Sequence, residues 1–189
     1  EPSQHRHRIE HCSVCPPDAL DRLSRLGAIV VTHPPFLYYS GERYLSEVPR
    51  EQLPWLYRIK SFKESGLRPA GSSDSPVVPN SPLIGIYAAT ARRTEGSKAI
   101  LPEEAVSITE ALHMYTAAAA YASREETEKG TIARGKLADL VVLDRDPTAG
   151  SPEEIKAITV EMTIIGGKVG GGGVGITAAA LSVGAPRHR

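Results

Sequence analysis

The run Ala28-Ile29-Val30-Val31-Thr32 constrains this chain more than any other stretch, because it is β-prone and apolar without the alternation of a half-exposed strand. Such a strand is buried on both faces, the condition of a parallel sheet covered by helices. Its surroundings agree. Upstream, His7 to His11 alternates as a short strand, and Pro16-Pro17 opens a helical stretch from Asp18 to Leu26 with Leu20, Leu23 and Leu26 on one face, ended by Gly27. Downstream, an amphipathic helix is expected over Arg50 to Glu64, closed by Gly66, and a third short strand over Leu67 to Gly71. Between them Pro34 to Pro49 reads as a long irregular stretch carrying Phe36, Tyr38, Tyr39 and Tyr44, and aromatic loops of this length inside a compact domain are often functional.

After a Pro/Ser-rich loop, helices are expected from about Leu83 to Arg92, Ser107 to Tyr115 and Thr116 to Ser123, with Thr109 and Thr116 as N-cap residues. The period then changes. Thr131-Ile132, Ala138 to Leu143 and Thr159 to Ile165 are short β-type runs, and Gly166-Gly167-Lys168 reads as a hairpin turn. Residues 128–169 are therefore expected to form a small separate β unit after a first region, 1–127. The Gly/Ala-rich remainder, 170–189, has no usable periodicity and is expected to be disordered.

Charge and composition exclude several classes. The formal net charge is +0 at pH 7 and the basic residues are dispersed apart from a His/Arg cluster at 5–8, so nucleic acid is not an expected partner. The longest uncharged run, Val169 to Pro186, is too weakly hydrophobic to span a bilayer, and no signal peptide opens the chain. A soluble, cytoplasmic protein without membrane contact is the expectation. The glycines at 170–173 lack the Lys-Ser/Thr of a phosphate loop.

Two motifs sit where strands would end: His7-Arg8-Ile9-Glu10-His11 and Gly71-Ser72-Ser73-Asp74. His11, last in its strand, is the candidate ligand of the first, since imidazole is the commonest protein ligand for zinc and similar metals. A buried structural histidine bonded to a backbone carbonyl fits the same position. Glu10 is expected to pair with Arg8 or another basic neighbour and not to touch a metal. Asp74 is either a turn residue, the usual role of Asp before Ser-Pro, or a metal-binding carboxylate that takes a proton from water, with the neighbouring serines orienting it. His33 ends the second strand as His11 ends the first, so it either touches substrate in the same cavity or packs against Pro34. Cys12 and Cys15 form a C-x-x-C, but structural zinc usually needs a second ligand pair and the thioredoxin-like context is absent, so buried thiols are the plainer reading.

Taken in order, HRIEH, GSSDSPV, EALHMYTAAAAYA, GTIARGKLADLVVLDRDP and TIIGGKV resemble the C-terminal half of an amidohydrolase-superfamily enzyme, in the branch of the N-substituted formamide deformylases. The resemblance covers about residues 5–169. It implies an α/β fold, the last three strands of a (β/α)8 barrel followed by strands of a small β-sandwich, and one or two divalent metals, with zinc the first expectation. It implies hydrolysis of a carbon–nitrogen bond in a small amide-type substrate by a metal-activated water. On this resemblance His11 matches the metal-site histidine ending the sixth barrel strand, and Asp74 matches the aspartate ending the eighth, which binds metal and handles protons. The Gly135 to Asp139 run matches a sandwich strand without chemistry. The family's His-x-His, its fourth-strand ligand and its fifth-strand histidine would all lie upstream of residue 1. A fragment that depends on a missing N-terminal segment, or self-associates as a homo-oligomer to cover open edges, is therefore expected. A non-catalytic binding or assembly module is the competing reading. The aromatic stretch from Phe36 to Tyr44 suggests a substrate with an apolar substituent.

Overall fold

Three short parallel strands in sequence order organise the first part of the molecule: β1 (Arg8–Glu10), β2 (Ile29–Thr32) and β3 (Ala70–Gly71). The computed structural model describes residues 5–170 and the backbone of Val183–Gly184. Arg8 lies opposite Ile29 and Val31 opposite Ala70, and every residue of β2 is buried, as its unalternating sequence requires. Between β1 and β2 runs α1 (Pro17–Leu26), with Pro in its first turn and Asp18 at the positive end of its dipole. Leu20 and Leu23 pack on Cys15, Val30, Phe62 and Leu67. Gly27 stops the helix in the left-handed region, φ 62°, where its N–H donates to the Leu23 and Ser24 carbonyls.

The stretch after β2 departs from the sequence expectation. Residues 35–47 are not an irregular loop but a helix, α2 (Pro35–Glu47). Pro35 supplies a preset φ in the first turn, and Leu37 and Gly41 face inward. A Cβ at Gly41 would stand 2.6 Å from Thr94 Cγ2, so only glycine admits this approach. The helix expected over Arg50 to Glu64 shrinks to a single 3₁₀ turn, Leu53–Trp55, and α3 (Ile59–Glu64). Pro54 disfavours helix at Leu53, and tertiary pairing then wins: Tyr57 sits at φ 43° and its N–H donates to the Ser13 carbonyl at 2.9 Å. The third strand is shorter than expected because Leu67 turns into the α1 cluster.

α4 (Pro82–Ala91), α5 (Ile108–Tyr115) and α6 (Ala117–Ala122) follow. The cap of α5 is Ser107, not Thr109, in a reciprocal capping box with Glu110. Thr116 stands at the α5/α6 junction, but its hydroxyl donates back to the Leu112 carbonyl at 2.8 Å instead of capping. The later strands are β4 (Thr131–Ile132), β5 (Leu140–Leu143), β6 (Val160–Ile165) and β7 (Lys168–Gly170), with β5, β6 and β7 forming an antiparallel meander. Gly166 and Gly167 both take positive φ, the geometry of a tight hairpin turn. Ile155, in the 3₁₀ segment Pro152–Ala157, and Val141 of β5 join the core formed by Ile86, Tyr87, Leu112 and Met114. The β region is thus packed against α4 and α5. β4 pairs in parallel with β8 (Val183–Gly184). The disorder expected for 170–189 falls, apart from Gly170 and β8, outside the described residues. No helix among the described residues is long and apolar enough to cross a membrane.

Candidate metal centre

Parallel pairing carries the chain off the sheet in the same direction at each strand end, and it does so beside His11, His33 and Asp74. One ligating atom from each of the three lies within 4.8 Å of the other two. His11 Nε2 stands 3.8 Å from Asp74 Oδ2, and the His11 and His33 ring centroids are 4.2 Å apart. The first separation is too long for a hydrogen bond and close to the roughly 3.3 Å expected of two donors sharing one tetrahedral ion.

Local backbone strain aims two of these side chains. β1 ends at Glu10, so His11 is not its last residue as the sequence suggests but enters the left-handed region at φ 63°, followed by Cys12 at φ 47°. Asp74 takes φ 60°. Non-glycine residues held there cost on the order of 1 kcal/mol or more and cluster at functional sites. The Ser73 hydroxyl accepts from the Ser75 N–H at 3.3 Å. Glu10 pairs with Arg8 at 2.9 Å.

His33 is the buried member, 3% exposed, and its Nδ1 has no hydrogen-bond partner among the described residues. Burial, and next the neighbouring His11, push its imidazole below the usual range, against the smaller pull of Asp74 and Glu10. Neutral imidazole is the ligating form. Phe36, in the first turn of α2, presents its ring edgewise to His33 at 6.1 Å and to His11 at 6.3 Å. Sequence reasoning missed this contact by reading α2 as a loop, although the Pro34-Pro35 pair was a helix-start signal. Cys12 and Cys15 are free, and Cys15 is buried in the α1 cluster. Burial first, then the neighbouring Cys15, pushes the Cys12 thiol up to about 12, which keeps it protonated and suits packing better than zinc ligation. A cavity of about 250 Å³ opens near β3 beside Ser72, Ser73, Asn80, Tyr115 and Lys129, and the three clustered residues do not line it.

Two imidazoles and one carboxylate, with one imidazole nitrogen buried and unpartnered, fit a divalent transition metal of the zinc type. Side-chain exposures of 46% at His11 and 36% at Asp74 leave the solvent side open.

Comparison with known proteins gives this geometry a context. Residues 1–169 match the model of the "Amidohydrolase family". The N-substituted formamide deformylase of Arthrobacter pascens is 33% identical over 161 residues, which are 85% of this chain and 30% of that protein. A putative amidohydrolase, YtcJ, of Bacillus subtilis (strain 168) is 27% identical over 172 residues, 89% of this chain and 32% of its own length. The crystal structure of an uncharacterized metal-dependent hydrolase from Pyrococcus horikoshii OT3 superposes with a TM-score of 0.67 at 30% identity, covering 77% of this chain and 30% of that one. The chain therefore spans about a third of the length of the curated relatives it matches. The match over 1–169, laid on three consecutive parallel strands that gather His11, His33 and Asp74, shows that the chain belongs to the amidohydrolase family.

Proposed function

We propose that this chain supplies part of the active site of a metal-dependent hydrolase acting on carbon–nitrogen bonds of small amide-type molecules. One observation carries the reading: His11 Nε2 and Asp74 Oδ2 lie 3.8 Å apart at the ends of two parallel-sheet strands, with an unpartnered buried histidine beside them. His11 and Asp74 hold the metal, with zinc the first choice for this nitrogen and oxygen donor set. When bound, such a metal supplies Lewis acidity that lowers the pKa of water to about 7 and polarises a carbonyl. Asp74 has the exposure needed to accept a proton from water and pass it to the leaving nitrogen. The edge of Phe36 beside both imidazoles supports a substrate with an apolar substituent, and the name of the Arthrobacter relative describes N-substituted formamides as a class to try.

The same reading extends to the architecture. Leu140, Val142, Met162, Ile164 and Val169 share one face of the β5–β7 sheet, opposite the face that carries Val141 and the buried Thr163. Val142, Met162 and Val169 are exposed there. Strands from the remaining length of the longer enzyme cover this face and complete a small β-sandwich.

The test is release of amine from N-substituted formamides and other small amides by a polypeptide of the relatives' length that contains this chain. Turnover that requires metal and falls by at least about 100-fold in Asp74→Asn supports the reading. Metal-dependent binding of these amides without turnover would favour the non-catalytic binding module instead.

A further inference from the structure

The parallel sheet is covered on both faces, and the second cover does not fit a closed barrel. Successive residues of β2 point to opposite faces. Val30 packs with Leu20 of α1, Phe62 of α3 and Leu67, so these helices, which belong to the crossovers joining the strands, share one side. Ile29, Val31 and Ala70 pack on the other side against Ala118 and Ala122 of α6. In a (β/α)8 barrel the helices form the outer ring, and the opposite face of the sheet is an interior filled by strand side chains, with no room for a helix. α6 therefore occupies the face that a closed barrel needs for itself. We propose that α6 is a displaceable plug: it closes the sheet of this chain on its own, and it swings away at Thr116 when further strands of a longer polypeptide complete a barrel. The inference rests on the reading of the chain as part of a longer barrel enzyme and adds a change of conformation on assembly.

Four observations carry it. Ala118 and Ala122 are buried, yet alanine side chains place little apolar surface on the sheet, so the contact is closed but weakly held. The end of α6 is fastened by polar contacts at the rim of the sheet. Arg6 Nη1 donates to the Tyr121 carbonyl and Arg8 Nη1 to the Ala122 carbonyl, both at 3.3 Å, where cations favour the negative end of a helix. The Arg6 and Arg68 guanidiniums also face the Tyr121 ring, 3.9 and 4.8 Å from its centroid. Such contacts exchange with water at small net cost, unlike an interdigitated core.

A hinge is already present. Thr116, at φ −126° and ψ −94°, breaks α5 from α6, and its hydroxyl bonds back to α5 through the Leu112 carbonyl. α5 is anchored independently, since Ala111, Leu112 and Met114 sit in the core with Ile86 and Tyr87 of α4. α6 can thus turn while α5 stays. Finally, the packing of α6 on the end of β3 is incomplete: the cavity of about 250 Å³ at Ser72 and Ser73 is bounded on its other side by Ala119, Ala120 and Ser123. While α6 lies on the sheet, no other strand can face β2 across an interior, so the contact holds the chain in a form that a barrel cannot incorporate.

Methyl NOEs in samples labelled at Ala, Ile and Val test the proposal in two polypeptides, the 189-residue chain and one of the relatives' length that contains it. Cross-peaks from the Ala118 and Ala122 methyls to those of Ile29, Val31 and Ala70 are expected in the chain and are expected to be lost in the folded longer polypeptide. Their absence from the chain, or their persistence in the longer polypeptide, overturns the proposal. Tyr121→Ala removes the ring that both guanidiniums face, and in the chain it is expected to speed hydrogen exchange of the amides at 117–122 by at least about 10-fold while those of α5 keep their rates. Equal acceleration in α5 would overturn the hinge at Thr116, and the wild-type NOEs decide the matter if this variant does not fold. Amine release by the longer polypeptide reports separately on the proposed hydrolase. Persisting cross-peaks with turnover sink the plug alone, whereas lost cross-peaks without turnover leave the plug standing and sink the hydrolase.

Discussion

Arg92, fully buried, donates through Nη1 to the backbone carbonyl of Tyr57 at 3.1 Å. Its Nε reaches the Ile100 and Leu101 carbonyls, both at 3.1 Å, so one guanidinium joins the end of α4 to two separate loops. Tyr57 in turn donates its N–H to Ser13, two residues beyond His11. The loop behind the candidate centre is thus held from the core. Burial lowers the Arg92 pKa to about 10, which still leaves it charged at neutral pH. Hydrogen bonds to a charged donor contribute about 1.5–3 kcal/mol each, and removing this one leaves carbonyls unsatisfied. Arg92→Met is expected to destabilise the chain by about 3 kcal/mol or more, measured by urea unfolding.

A second prediction concerns Tyr115, whose ring wedges between β3 and α4. A Cβ at Gly71 would stand 2.5 Å from Tyr115 Cε2, and one at Gly85 would fall onto the Tyr115 hydroxyl. Either substitution to alanine overpacks the same ring, so Gly71→Ala and Gly85→Ala are each expected to lower stability by about 1–3 kcal/mol. Because they strain one shared side chain, the double variant should lose less than the sum. Thermal unfolding of the three variants checks both points.

The Lys63–Glu110 pair makes stability depend on acid. The Lys63 hydrogen bond, followed by the Ser107 N–H, holds Glu110 down at about 2 against 4.5 for the free group. Since the folded value is the lower one, this stabilisation is fully present above about pH 4.5 and is lost as the pH falls through about 2. Glu110 keeps 42% side-chain exposure, so solvent screening limits the contribution to under about 1 kcal/mol. In urea unfolding at stepped pH, Glu110→Gln should decline less steeply than the wild type between about pH 4.5 and 2.

Cys15 is 1% exposed inside the α1 cluster. It should resist iodoacetamide at pH 8 in the native chain and react fully in urea, with mass spectrometry reporting the adduct. Ready alkylation of the native protein would mean that the α1 packing is loose.

How much was legible in the sequence depended on whether local pattern or distant packing set each element. β2 could be read outright, because four consecutive β-branched residues without alternation suit a strand buried on both faces. Gly27 and the Gly166-Gly167 pair likewise announce their left-handed geometry. Residues 50–58 could not be read this way. Their leucine spacing suggests a helix, but Tyr57 bonds to Ser13 and Val14 bridges Leu56, contacts that no local window contains. The strand-end placement of His11, His33 and Asp74 was visible. The burial of His33 was not, because it depends on α2 and the Phe36 edge, and that stretch had the aromatic and proline content of a loop.

The central claim is that His11 and Asp74 hold a divalent metal, and zinc content is its most direct test. After loading with zinc and exhaustive dialysis, elemental analysis of a polypeptide of the relatives' length that contains this chain is predicted to find bound zinc in the wild type and markedly less in His11→Ala or Asp74→Ala. A wild type of that length that retains no zinc, or variants that retain as much as the wild type, would contradict it.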